Sequence, residues 1–210
     1  IEDLLKHADL ALYAAKAAGR NRYRFFNQDM QDAAQWRARL DGDLRTALVA
    51  GQFEVVYQPM VELATDRVFK AEALLRWQHP LLGWVSPAQF IPVAEASGLI
   101  VPIGEWVFEQ ALAQVTAWRQ RLGDTFQISV NKSPVQCQHH VAQQSSWAQK
   151  LKAQGLPVNC IAMEITEGLL LDTSQEMTEH LSALRDDGMD VSLDDFGTGY
   201  SSLSYLQKLD

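Results

Sequence analysis

After residue 50 the chain alternates short apolar runs with helical stretches, and polar residues interrupt those runs. Glu72 lies within Phe69-Lys-Ala-Glu-Ala-Leu-Leu-Arg-Trp77, and Asn131 ends Ile128-Ser-Val-Asn131. Glu164 lies in Ile161-Ala-Met-Glu-Ile-Thr-Glu167, and Asp194-Asp195 ends Val191-Ser-Leu-Asp-Asp195. Repeated strand–helix units of this kind predict a parallel sheet covered by helices. In such an array the C-terminal strand ends converge on one face, where active sites sit. Four carboxylates and one carboxamide would meet there. That much like charge is unfavourable unless something positive lies among it.

Hard oxygen donors without thiolates select Mg²⁺, Mn²⁺ or Ca²⁺ over zinc. Adjacent aspartates at one strand end can bridge or flank two ions, an arrangement used to hydrolyse phosphate esters. The same acids can instead cap the helices that follow them or pair with Arg76. Spacing alone names no reaction.

The remaining elements follow from periodicity and punctuation. Leu5, Ala8, Leu12 and Ala15 form one stripe of a helix closed by Gly19, and Arg22–Phe26 reads as a short strand. Residues 28–50 are helical, with Leu40, Leu44, Ala47 and Leu48 on one side and Gly51 at the end. Phe53–Pro59 reads as a strand, and Met60–Ala64 with Arg67–Trp77 as a hairpin around Thr65-Asp66. Ser86-Pro87 is an N-cap and N1 proline for a helix ending at Gly98. Ile103, Val107, Ala111, Val115 and Trp118 mark a longer helix ending at Gly123. Then come strand Phe126–Asn131 and a helix from Ser133-Pro134 to Gly155. Strand Cys160–Thr166 precedes a helix carrying Met177, Leu181 and Leu184 on its core side. Strand Asp190–Asp194 leads through a glycine-rich loop to a helix over Ser201–Leu209. A TIM-type barrel needs about 250 residues, and 170 follow Leu40. Either a barrel short of its last strands or an open doubly wound sheet satisfies the pattern.

Composition narrows the function. A net charge of −8 and a pI near 5.1 argue against a broad grip on DNA or RNA or on an anionic membrane. Two cysteines, Cys137 and Cys160, build neither a disulfide scaffold nor a multi-thiolate zinc site, and they suit a reducing, cytoplasmic setting. No run approaches the ~18 apolar residues of a membrane span. Gly197-Thr-Gly199 lacks the third glycine of a dinucleotide loop and has no Walker lysine. His139-His140 has no ligand partners at helical spacing and reads as a solvated helix start. The chain opens at Ile1 without Met and stops at Asp210 in a structured-looking stretch, as an excerpt would.

Taken together, the motifs resemble the EAL-domain phosphodiesterases that hydrolyse cyclic di-GMP, a bacterial second messenger tied to signalling and biofilm control. The resemblance rests on Tyr57-Gln-Pro59, Glu72-Ala-Leu-Leu-Arg-Trp77, Ser129-Val-Asn131, Glu164-Ile-Thr-Glu167 and Asp194-Asp-Phe-Gly-Thr-Gly-Tyr-Ser-Ser202. Ala8-Asp-Leu-Ala-Leu-Tyr13, Ala15-Lys16 and Gly19-Arg-Asn-Arg22 resemble the C-terminal end of a GGDEF (diguanylate cyclase) domain. The implied organisation is a GGDEF remnant over 1–27, a linker helix over 28–39 and an incomplete EAL domain over 40–210.

The implied fold is an α/β TIM-like barrel with one strand running against the others, truncated at its C-terminal end. The resemblance implies Glu72, Asn131, Glu164, Asp194 and Asp195 as ligands of two divalent ions, Mg²⁺ or Mn²⁺. It implies Gln58 and Arg76 as contacts to the cyclic dinucleotide. Glu72 and Glu167 are implied as catalytic, Glu167 by steadying the Asp195–Ser202 loop. The implied reaction is attack of a metal-activated water on one phosphodiester, giving linear pGpG. A homodimer through the EAL domain is implied as well, in a cytoplasmic protein whose parent is open to membrane anchoring through upstream segments. The family's catalytic Lys and a later metal-binding Glu have no counterpart before Asp210, so the isolated 210 residues are expected to be inactive. A non-catalytic domain that only senses cyclic di-GMP is the alternative.

Overall fold

In the computed structural model, residues 2–140, 147–166 and 175–194 are described. The chain forms two compact units, Ile1–Ala50 and Gly51–Asp210.

The first unit holds two helices, α1 (Glu2–Ala17) and α2 (Gln28–Ala47). Helix α1 ends in a run of positive φ at Gly19, Arg20 and Asn21 (102°, 56° and 48°). Asn27 then starts α2, its side-chain oxygen accepting the Met30 N–H at 3.1 Å, as an N-cap should. The strand expected over Arg22–Phe26 does not form. A strand needs a hydrogen-bonded neighbour, and among the described residues this unit has none; Phe26 stacks on His7 instead, ring centres 3.7 Å apart. The expected α1 stripe is also displaced. Ala11 and Ala15 are buried, whereas Leu5 and Leu12 are 63% and 52% exposed. The side α1 turns to α2 carries Lys6, Asp9 and Tyr13, with the Arg37 guanidinium over the Tyr13 ring. Helix α2 runs unbroken past residue 40, and Leu40, Leu44 and Ala47 are buried as their spacing predicts.

The second unit is a mixed sheet of six described strands. These are β1 (Phe53–Glu62), β2 (Arg67–His79), β3 (Gly83–Val85), β4 (Gln127–Asn131), β5 (Ile161–Thr166) and β6 (Asp190–Asp194). Strand order is β1-β2-β4-β5-β6, with β3 paired to β2. The β1–β2 and β2–β3 pairs are antiparallel; β2, β4, β5 and β6 are parallel. The sequence divides β1 at Pro59, but it continues to Glu62 as the first arm of the hairpin, whose turn has Asp66 at φ 54°. The short β3 was not anticipated; three residues carry too little pattern to announce a strand.

Helices follow from the expected punctuation. They are α3 (Pro87–Ala96), α4 (Ile100–Leu122), α5 (Pro134–His140), α6 (Trp147–Ala153) and α7 (Gln175–Asp186). Ser86 occupies the cap of α3 without a side-chain capping bond; its carbonyl accepts the Gln89 N–H instead. The single helix expected from Ser133 to Gly155 is described as α5 and α6 at its two ends. The side chains of Met177 and His139-His140, residues 195–200, and the Ser201–Leu209 helix lie outside the described residues.

Side-chain alternation separates the sheet into two unlike faces. Ala71, Ala73, Ile128, Val130, Ile161, Met163 and Ile165 lie in one core with Phe108 and Leu112 of α4, Trp147 and Leu151 of α6, and Leu181 and Leu184 of α7. The register puts Glu72 beside Ser129, Asn131 beside Glu164, and Thr166 beside Asp194 on the other face. A doubly wound sheet reverses its strand order. Here the described order runs without reversal, as it does in a TIM-like barrel.

Tyr57 lies on the helix-covered face, edge-on to Trp118 at 5.0 Å between ring centres, its hydroxyl donating to the Gln110 carbonyl at 3.4 Å. Burial pushes its phenol up from 10.0 to about 12. Between these values the unfolded chain has released this proton and the folded one retains it, so stability falls as pH rises from 10 to 12. Tyr57→Phe should flatten that part of the decline in denaturation curves taken at each pH. An identical alkaline slope in both proteins would contradict the buried-phenol account.

Candidate active site

The polar face gathers its acids from the middle of β2 and the C-terminal halves of β5 and β6. Carboxylate oxygens of Glu72, Glu164 and Asp194 all lie within 4.8 Å of one another. Asn131, ending β4 between them, donates its Nδ2 hydrogen to Glu72 Oε1 at 2.6 Å. This leaves the carboxamide oxygen of Asn131 as a further hard donor. Burial raises the Glu72 pKa above 4.5, and Glu164 and Asp194 raise it further; the Asn131 hydrogen bond and Lys70 oppose this. Ser129, fully buried beneath the acids, has an Oγ with no hydrogen-bond partner. Crowded carboxylates, a carboxamide oxygen and an orphaned hydroxyl fit a divalent cation with oxygen ligands.

A cleft of about 530 Å³ opens beside the acids. Its walls include Leu74, Ile91, Ile103 and Val107, and its polar groups include Arg76, Glu95 and Lys132. Arg76 is four residues beyond Glu72 on the same side of β2 and lines the same cleft as Asn131, Glu164 and Asp194. Among the described residues its guanidinium bonds only the Leu75 carbonyl, at 2.9 Å. Among the described residues, Glu72, Glu164 and Asp194 are therefore not partners of Arg76. Gln58 sits opposite Glu72 in the β1–β2 register but is exposed. Glu167 and Asp195 lie outside the described residues.

Sequence reasoning missed Lys70. Its ammonium is 3.4 Å from Glu164 Oε1, and the two side chains are only 11% and 9% exposed. Its position two residues before Glu72 was the available signal, since strand residues two apart share a face.

Known proteins carry the same arrangement of sequence and fold. Over 206 residues the chain is 42% identical to an uncharacterized signaling protein of Caulobacter vibrioides, covering 98% of this chain and 25% of that protein. It is 41% identical over 210 residues to the bifunctional diguanylate cyclase/cyclic di-GMP phosphodiesterase MucR of Pseudomonas aeruginosa, covering 99% of this chain and 30% of that one. The chain thus spans about a quarter to a third of the length of these relatives. The solved PaMucR phosphodiesterase in complex with c-di-GMP superposes with a TM-score of 0.74 at 39% identity, over 81% of this chain and 69% of that one. The EAL domain family matches residues 41–210, a span that holds every strand bringing Glu72, Asn131, Glu164 and Asp194 together, and the chain belongs to that family.

Proposed function

We propose that this protein hydrolyses cyclic di-GMP to linear pGpG, using two divalent ions, Mg²⁺ or Mn²⁺. One observation carries the reading: Glu72, Glu164 and Asp194 converge within 4.8 Å at the head of a cleft that holds Arg76. Membership of the EAL family implies dependence on a divalent metal. Glu72, Asn131, Glu164, Asp194 and Asp195 would hold the ions, which supply a nucleophile from water and neutralise charge building on the phosphate. Arg76 offers a planar fork for a phosphate, and Gln58 a second contact to the dinucleotide. The walls of the cleft exclude water from one side of the substrate. Glu167 steadies the loop from Asp195 to Ser202. The same reading assigns residues 1–27 to the end of a GGDEF domain and 28–39 to a linker helix. Residues 40–210 are then the EAL domain, which pairs as a homodimer. It sets the reaction in the cytoplasm, where the free thiols of Cys137 and Cys160 stay reduced.

The test is product analysis on the full-length protein. Cyclic di-GMP should give pGpG with Mg²⁺ or Mn²⁺, excess EDTA should stop the reaction, and Ca²⁺ should not restore it. Unimpaired cleavage in EDTA would overturn the metal assignment. Tight binding without cleavage in Mn²⁺ would make the domain a sensor.

A further inference from the structure

Lys70 brings positive charge to the acids from an unexpected direction. Its register partner is Gln127 on β4, yet its ammonium reaches Glu164 on β5, one strand further. The reach is possible because β4 presents the small Ser129 to the polar face between β2 and β5. An exposed ion pair would mean little. This one is enclosed, and its Glu164 is one of three carboxylates whose oxygens crowd within 4.8 Å. Those carboxylates repel one another unless a cation lies close by.

We propose that Lys70 is an internal counter-ion for the carboxylate cluster, holding Glu164 until a divalent cation displaces it, and that it thereby sets how tightly the site binds metal. The proposal rests on the reading of the cluster as a metal site. Lys70 acts in two opposed ways. With the metal away, its charge keeps the acids together. With the metal arriving, the same charge repels the ion and competes for a carboxylate oxygen. Lys70 is thus a positioning residue, acting on metal occupancy through Glu164.

Calorimetric titration of the full-length protein with Mn²⁺ tests this on wild type, Lys70→Met and Lys70→Arg. Removing one charge beside a divalent ion should tighten Mn²⁺ binding by roughly tenfold or more in Lys70→Met. The melting temperature of that variant without metal should fall. Lys70→Arg, which keeps the charge, should stay near the wild-type affinity. A purely structural lysine would lower the melting temperature without tightening Mn²⁺ binding, so unchanged or weaker affinity in Lys70→Met overturns the proposal. A second measurement covers a variant that does not fold: acylation of Lys70 in the wild-type protein by acetic anhydride, read by mass spectrometry. Displacement from Glu164 should speed acylation when Mn²⁺ is added, and an unchanged rate overturns the proposal. If the wild-type protein takes up no Mn²⁺ at all, the metal reading falls and this proposal with it. Wild-type binding with no gain in Lys70→Met removes only the role of Lys70.

Discussion

Glu72→Ala should lower turnover of cyclic di-GMP by at least about 10²-fold, more than the loss of an outer partner of a metal ligand costs. The side chain stands within 4.8 Å of both Glu164 and Asp194 and accepts the Asn131 amide at 2.6 Å. Alanine removes a carboxylate and also the group that orients Asn131. Affinity for cyclic di-GMP measured in Ca²⁺ should fall much less, because Arg76 and the apolar walls of the cleft remain. Product chromatography and calorimetry on the same preparation separate the two effects. A variant that keeps a tenth or more of wild-type turnover would remove Glu72 from the reaction.

Trp77→Ala should cost about 3–5 kcal/mol of stability, the range for truncating a buried aromatic. Trp77 is fully buried, with ring centres of Phe53, Phe90 and His79 at 5.9, 5.6 and 5.3 Å. Its indole N–H donates to Gln52 Oε1 at 3.1 Å, so the substitution also strands an acceptor. This side chain ties the end of β2 to β1 and α3, next to Arg76 on the opposite face. Urea denaturation of the two proteins measures the loss. A value under 1 kcal/mol would mean that the aromatic cluster is not what fastens this strand.

Much of this was legible because β-strand alternation is strict. Glu72, Asn131, Glu164 and Asp194 announce themselves as polar breaks in apolar runs, and the parallel register brings them to one face. The helix ends at Gly98 and Gly123 follow from glycine placement, and both residues have positive φ in the structure. Arg22–Phe26 misled because aromatic composition describes a segment that can pair, whereas pairing depends on a neighbour elsewhere in the chain. The α1 stripe misled for a related reason: periodicity gives the angular spacing of apolar residues but not which side another helix covers. Lys70 was hidden by its chemistry. A lysine before an acid on a strand is ordinary on a surface, and only the folded chain, with the ammonium 3.4 Å from Glu164, shows that its partner is that residue rather than its neighbour.

The β1–β2 register shifts between Met60, paired to Lys70, and Val61, paired to Val68, which leaves Phe69 as an extra residue. That bulge lies immediately ahead of the segment carrying Lys70, Glu72 and Arg76. Adding or losing one residue in a strand normally turns every later side chain over to the opposite face. Here one such addition has already been absorbed, and beyond it the ladder keeps step from Lys70 to Trp77. The hairpin tip at 63–66 is therefore uncoupled from the site, free to drift in length and composition over evolution. Residues 70–77 have no such licence: a single insertion between Lys70 and Ala71 would turn Ala71 and Ala73 to the polar face and drive Glu72 into the core.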